Sequence, residues 1–524
     1  MPKALFMLVG IRFILGCLGA TLAVQWCSPA TTRSGQATPV ALAPAALARP
    51  EPLAPLIRAM LDTGAVGRAR YPDSSQQLQA GAAVRSLYAP DFAPVWTDSA
   101  GFLGANAAAA LALLARAAEH GLRPAYYGVL GLQALRDSLA DPGAPAGPAQ
   151  RARQQAALDV YLSDAVLTFM RDLTRGRLRP HTAVARERAA GPSATALRAA
   201  LARQTVPAVM VAGQPANREY RQLQQALSQW LATPYPPDSQ AAHSARYQQA
   251  ALNLERWRWE AVAPASDYVL INVPAYELQV VAAGVVARRH RVVVGKPSTA
   301  TPTLTSTIRY FTLAPGWHVP HSIATQEMLP RVRQDVRYLE RNNLAVYNDR
   351  GQQVDPARIN WSKVTAQRFP YTIRQSASCD NALGNIVFRF ANPYSVYVHD
   401  TPLRQLFDRP TRAFSHGCIR LEHPMRLAAY LLRREGHPAR LPTEDECARS
   451  PRSRDIRLRR PLALYVRYAT CTAENGHLRF LPDVYGRDEA LRRALFGPKA
   501  PARAGQPLPT SAASARDTAE YDVR

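Results

Sequence analysis

Lysine is nearly missing from this chain. It occurs only at Lys3, Lys296, Lys363 and Lys499, so the formal charge of +25 is carried almost wholly by arginine. The arginines are scattered along the sequence, which gives a diffuse attraction to polyanions. Nucleic acid is the usual partner for such a charge. No zinc-finger spacing, RNA-recognition motif or compact basic helix is present, however, so no nucleic-acid partner is expected. An anionic cell-envelope polymer fits the charge equally well, and so does an arginine-rich solvated surface with no partner at all. Cysteine is also scarce, with six in 524 residues: Cys17, Cys27, Cys379, Cys418, Cys447 and Cys471. No CxxC pair or Cys/His spacing argues for a metal, and neither a metal nor a cofactor is expected. In an oxidising compartment Cys447 and Cys471 could staple the last part of the chain, a pairing the sequence leaves open. Beyond the first residues no segment is long and apolar enough to span a bilayer.

Lys3 followed by the mostly apolar Ala4–Trp26, broken by Arg12, predicts a secretory signal or an uncleaved membrane anchor over 1–27, and hence a periplasmic or membrane-held protein. Residues 28–70 are rich in Ala, Pro, Thr and Ser and read as a tether. Long Ala/Leu-rich segments follow, at Ala105–His120, Gln150–Arg175 and Ala194–Arg203. In the second of these Leu158, Leu162, Ala165, Val166, Phe169 and Leu173 fall on one stripe. A helical domain over 71–235 and a linker helix within 236–265 are expected. The period then becomes that of strands, with Tyr268–Val273, a hairpin of Tyr276–Val281 and His290–Val294, and further runs at Thr307–Leu313 and Ile386–Phe390.

The expected fold class is α+β: a helical N-terminal scaffold domain, then a β-rich catalytic domain over 266–447. Within it, the longer, more polar stretch 321–375 reads as a lid. An amphipathic helix is expected over 425–434, and a strand at Leu462–Tyr468 returning to the same core. A C-terminal extension over 448–495 packs on the domain, and 496–524 reads as a disordered tail.

The chemistry concentrates in Ser415-His416-Gly417-Cys418-Ile419-Arg420 and in the segment leading to His399. Cysteine attacks as thiolate, and an ordinary thiol titrates at about 8.5, so Cys418 needs an imidazole or backbone donors beside it. In a strand Ser395, Tyr397 and His399 share one face while Val396 and Val398 face the core. His399 is the expected base, with its other nitrogen held by a nearby carbonyl, at or near Asp400, or with the Asp400 side chain as orienter. Gly417 permits a tight turn, and the N–H groups of Gly417 and Cys418 are candidate oxyanion donors.

These residues resemble the signature of the L,D-transpeptidase catalytic domain. The resemblance extends over about 250–490, through Arg256-Trp257-Arg258-Trp259, Val293-Val294-Gly295-Lys296-Pro297, Thr301-Pro302, Trp317-His318-Val319-Pro320, Asn381-Ala382-Leu383-Gly384, His399-Asp400-Thr401-Pro402 and Phe480–Asp488. More weakly it includes Pro94–Asp98 and His120-Gly121-Leu122. The pattern is similar to the large periplasmic, carbapenem-tolerant members. Two departures stand out: Thr233–Gln249 is too short for the peptidoglycan-binding module those members carry, and Ser376-Ala377-Ser378-Cys379-Asp380 stands where they have a Pro-Gly turn.

The resemblance implies that Cys418 and His399, with Gly417 and His416, catalyse acyl transfer on peptidoglycan stem peptides through a thioester. Tyr397, Arg420, Asp400, Asn381 and Trp317 are then substrate-binding candidates. Hydrolysis of the same acyl-enzyme, as a carboxypeptidase or amidase, and a non-catalytic wall-binding scaffold are the alternative readings.

Overall fold

The computed structural model describes residues 52–62, 78–97, 103–141, 143, 146–178, 193–259, 267–378, 381–449 and 451–497. The expected signal or anchor at 1–27, Cys379 and the tail beyond Gly497 lie outside them. Among the described residues no helix is long and apolar enough to cross a membrane.

The scaffold is built from α1 (Leu53–Asp62), α2 (Gly81–Tyr88), α3 (Ala105–Ala115), α4 (Val129–Ala140), α5 (Pro148–Arg175), α6 (Ala194–Arg203), α7 (Val206–Ala212), α8 (Arg218–Ala232) and α9 (Gln240–Trp259). The predicted stripe of α5 is buried throughout, and this helix forms the centre of the bundle. Its buried polar residues, which break the stripe, fasten an incoming loop. Asp159 accepts from the Tyr88 hydroxyl (2.6 Å) and from the Val95 and Trp96 amides (2.9 and 3.0 Å), while Trp96 Nε1 donates to Ser163 (2.8 Å). A buried carboxylate is tolerated there because several donors replace its water.

The tether reading is corrected at its end. Residues 53–62 form α1, whose Ile57 and Leu61 are buried in the scaffold core, because the apolar spacing Leu53, Leu56, Ile57, Met60, Leu61 makes one sticky face within a Pro- and Ala-rich stretch.

α9 is likewise more than a linker. Its Ala250, Leu254 and Trp257 pack with Tyr268, Leu270 and Val281 of the β-rich domain. On its other side Arg258 and Glu255 form a fully buried ion pair at 3.1 Å. Glu255 also accepts from the Leu178 amide (2.6 Å), and Arg258 donates to the His120 carbonyl and to the Tyr220 hydroxyl. Arg256 reaches forward to Asp488 at 2.7 Å. The Arg-Trp-Arg-Trp segment thus ties the two halves together through alternate sides of one helix.

The strands are β1 (Tyr268–Asn272), β2 (Glu277–Ala282), β3 (Val285–Gly295), β4 (Leu304–Leu313), β5 (Trp317–His318), β6 (Leu344–Tyr347), β7 (Gln353–Val354), β8 (Thr372–Gln375), β9 (Ile386–Arg389), β10 (Val398–His399), β11 (Ala413–Ser415), β12 (Ile419–Leu421), β13 (Arg454–Arg467), β14 (Cys471–Glu474) and β15 (His477–Phe480). The main sheet runs β11-β3-β12-β10-β9-β4-β13-β1-β2, and β2 pairs again with β3, so it closes on itself like a barrel. Phe311, Phe388, Val398, Ile419 and Leu464 fill its interior, sealed by Leu427, Leu431 and Leu432 of the helix Pro424–Arg434. β13 is an interior strand, parallel to β1 and antiparallel to β4. The expected strand at Leu462–Tyr468 is thus the end of a longer one that belongs to this sheet, while β14 and β15 after it pair only with each other.

The stretch 321–375, expected to be a polar excursion, is a folded unit of its own. β5-β8-β6-β7 form a second sheet, and Val319, Met328, Leu329, Val346, Trp361 and Ile373 make a separate core. A helical segment opens it, with a π-helical turn at Ala324–Met328. Cys471 is a free, buried thiol, so the proposed staple to Cys447 does not form.

Candidate functional site

Cys418 lies in the turn between β11 and β12. Gly417 has φ +112, a backbone conformation that only glycine adopts without strain. The turn is clasped from both sides. Ser415 Oγ donates to the Cys418 carbonyl at 2.5 Å and accepts from the Gly417 amide at 3.2 Å. Thr301 Oγ1 donates to the Gly417 carbonyl (2.8 Å) and accepts from the Gly295 amide (2.9 Å), while Thr299 Oγ1 and the Lys296 amide both donate to the Ser415 carbonyl. The Tyr485 hydroxyl donates to the Gly295 carbonyl at 2.7 Å. A Cβ on Gly295 would lie 2.1 Å from the Thr299 carbonyl oxygen, so glycine is required there for space.

Register brings the base beside the nucleophile. β10 and β12 are parallel, with Val398 opposite Ile419 and His399 opposite Arg420, and the Ile419 amide donates to the Tyr397 carbonyl at 2.8 Å. One step back, Tyr397 stands opposite Cys418. Because paired residues point the same way, Tyr397, His399, Cys418 and Arg420 share the face opposite the barrel core. The Cys418 thiol donates to the Ser395 carbonyl at 3.8 Å.

His399 is 4% exposed, and its Nδ1 lies 2.5 Å from the Asp400 carbonyl oxygen. A carbonyl only accepts, so Nδ1 carries the proton and Nε2 is the basic nitrogen. Burial, aided by the Arg420 charge, pushes the imidazole down to about 4. Burial also pushes the Cys418 thiol above its ordinary value, against smaller opposing contributions from the Tyr397 backbone and Arg420. The thiolate expected from the sequence is therefore not the resting state. Both groups rest neutral, because the site is too desolvated to favour an ion pair.

The remaining expected site residues divide. Tyr397 is half-buried, with the Arg389 guanidinium over its ring at 5.4 Å. Arg420 is half-buried and has no carboxylate partner among the described residues. His416 is exposed, with Nε2 2.5 Å from Oε1 of Glu327, which the insertion's π-helical turn presents.

Asp400 serves His399 through its main chain, while its carboxylate accepts from the Asn385 amide at 2.9 Å and fills the space beside Gly384. Asn381 is fully buried. It donates to the Pro315 and Ser376 carbonyls and accepts from the Leu383 amide, so it shapes a loop and cannot meet a substrate. Trp317 packs against the core of the insertion. The Gly417 amide is engaged by Ser415 Oγ and is not an idle oxyanion donor.

Ser415, Thr301, Gly295 and Tyr485 lie within recognisable sequence motifs, but only the structure gives them a role. Glu327 and Arg389 carry no local sequence signal. Among the described residues no cluster of His, Cys, Asp and Glu could hold a metal.

Residues 82–227 match the model of the Scaffold domain, and residues 266–440 that of the L,D-transpeptidase catalytic domain. The chain is 34% identical over 278 residues to a Haemophilus influenzae protein named "Putative L,D-transpeptidase", in an alignment covering 53% of this chain and 54% of that protein. It thus spans about half the length of that relative. An L,D-transpeptidase from Mycobacterium smegmatis of known structure aligns at 18% identity over 39% of this chain and 59% of that one, with a TM-score of 0.17. The chain joins a scaffold domain to an L,D-transpeptidase catalytic domain of the YkuD type.

Proposed function

We propose that the protein is an exported peptidoglycan L,D-transpeptidase that links the third residues of two stem peptides through a thioester on Cys418. The observation that supports this best is the one-face arrangement of Cys418 with a neutral His399 whose Nδ1 proton is pinned to the Asp400 carbonyl. Nε2 takes the thiol proton as sulfur attacks the carbonyl between the third residue and the terminal D-alanine. When the C–N bond breaks, the imidazolium returns that proton to the leaving amine. The acceptor's side-chain amine then attacks the thioester and gives its proton to Nε2, and the thiolate leaves to be reprotonated.

The neutral pair suits this sequence, since His399 at about 4 is unprotonated and available at every neutral pH. Arg420, half-buried beside both reacting groups, is placed for a substrate carboxylate or for the charge that develops on the tetrahedral oxygen. The insertion, anchored to the turn through Glu327 and His416, is suited to excluding water while the amine reaches the thioester. The basic surface offers a means of holding an anionic wall polymer in the absence of a dedicated binding module.

The test is purified protein with a disaccharide tetrapeptide, comparing wild type with Cys418→Ala by mass spectrometry of the products. A cross-linked dimer only with the thiol present is expected. Tripeptide alone would turn the reading to a carboxypeptidase, and no acyl-enzyme at all would leave a wall-binding scaffold.

A further inference from the structure

We propose that Arg389, Arg374 and His318 form a carboxylate-binding subsite beside Cys418, spanning the barrel and the insertion, which holds an acidic group of the donor peptide. The proposal rests on the reading of the site as peptide acyl transfer and adds what selects the peptide.

The main sheet supplies Arg389. β10 and β9 are antiparallel with Val398 opposite Phe388, so Arg389 stands opposite Tyr397, which in turn stands opposite Cys418. Arg389, Tyr397 and Cys418 therefore make one row across three strands on one face, and the guanidinium lies over the tyrosine ring. The insertion supplies the other two. His318 of β5 is the cross-strand partner of Arg374 of β8, on the side of the small sheet away from its core residue Ile373. Arg374 is half-buried over the Tyr347 ring at 4.4 Å, and its Nε is buried without a hydrogen-bond partner. Burial, and then the charges of Arg374 and Arg389, lower the proton affinity of His318.

Three basic groups thus converge from two separately cored units. Among the described residues neither Arg374 nor Arg389 has a carboxylate within ion-pair distance. Arg389 donates only to Thr312 Oγ1, whose hydroxyl is itself given to Asp455. Arg389 thus meets a carboxylate only at second hand, through Thr312, and a directly bound anion would relieve the repulsion between the gathered guanidiniums. Two strand spacings put the Arg389 backbone about 10 Å from that of Cys418. An arginine side chain and one or two extended peptide residues, at roughly 3.5 Å each, bridge that distance. The ligand is then a carboxylate carried within one or two residues of the reacting carbonyl.

The test uses the full chain with Cys418→Ala, which binds donor but cannot be acylated, so the result does not depend on turnover. Three synthetic stem tetrapeptides are titrated by calorimetry: one with free carboxylates, one with a terminal carboxamide and one amidated at the second residue. One of the two amides should bind about tenfold more weakly than the acid, identifying which carboxylate is held. In Arg389→Gln and Arg374→Gln backgrounds that acid-to-amide ratio should fall to near one. Ratios unchanged in both backgrounds, or no loss with either amide, would overturn the subsite. Arg374 belongs to the separately cored insertion, on the face away from that core, so Arg374→Gln tests the claim even if Arg389→Gln does not fold. If the ratios behave as expected while the wild type forms no thioester, the subsite stands and the transpeptidase reading falls.

Discussion

The resting neutrality of the Cys418 and His399 pair can be measured directly. Burial, with the Arg420 charge, holds the imidazole down to about 4, and burial pushes the thiol above its ordinary value, so moving the proton from sulfur to nitrogen is uphill in the free protein. Proton transfer must therefore accompany attack rather than precede it. At pH 7 only a small fraction of the thiol is ionised. Alkylation of Cys418 by iodoacetamide, followed by intact mass from pH 5 to pH 10, should therefore accelerate about tenfold per pH unit to beyond pH 9. His399→Gln should leave this profile nearly unchanged while acyl transfer falls by about a hundredfold or more. A rate that is already high and level between pH 5 and 8, and that collapses in His399→Gln, would reveal a preformed thiolate-imidazolium pair and refute the reasoning.

Acid should destabilise the fold. His399 and His120 are both held near 4 from an ordinary 6.5, so the unfolded chain binds more protons between those values; their stabilisation is complete above pH 6.5 and is lost as pH falls towards 4. In urea melts, His399→Gln should remove about 2–3 kcal/mol of the difference between pH 7.5 and 4.5. Gly417→Ala meets no atom closer than 3.8 Å but forces alanine to φ +112, so a loss of about 1–3 kcal/mol by thermal melting is expected, together with lost transfer. Arg258→Ala strands Glu255 in a fully buried place and should cost about 3–5 kcal/mol, read as a lowered urea midpoint. Deleting 321–375 should raise the ratio of tripeptide to cross-linked product in the muropeptide assay, whereas an unchanged ratio would remove water exclusion from the insertion's role.

Much of this architecture could be read in the residues because local pattern and tertiary role agree. The α5 stripe, the hairpin around Ala283-Gly284 and the helix after Cys418 each follow from spacing alone. His399 was legible for the same reason, as strand alternation separates it from Val398 whatever it packs against. What escaped depends on partners distant in sequence. Asn381 looks like a ligand-binding residue until Pro315 and Ser376 are seen to surround it. The ionisation of Cys418 turns on burial, which no motif records. The apolar residues of 321–375 are too dispersed to announce a core, and Glu327 gains its meaning only from a π-helical turn that points it at His416.

The position of β13 after all the other strands of its sheet has a bearing on how the fold comes into being. Tyr268 pairs with Ala463, so the first strand of the barrel waits for a partner synthesised nearly two hundred residues afterwards. Such distant pairings close slowly. A nascent polypeptide can display the thiol motif well before its walls exist, and a truncated product ending short of Arg467 would have the reactive sulfur but no enclosure to hold it. Maturity is thereby written into chain order: the sheet behind Cys418 closes only once β13 has been made.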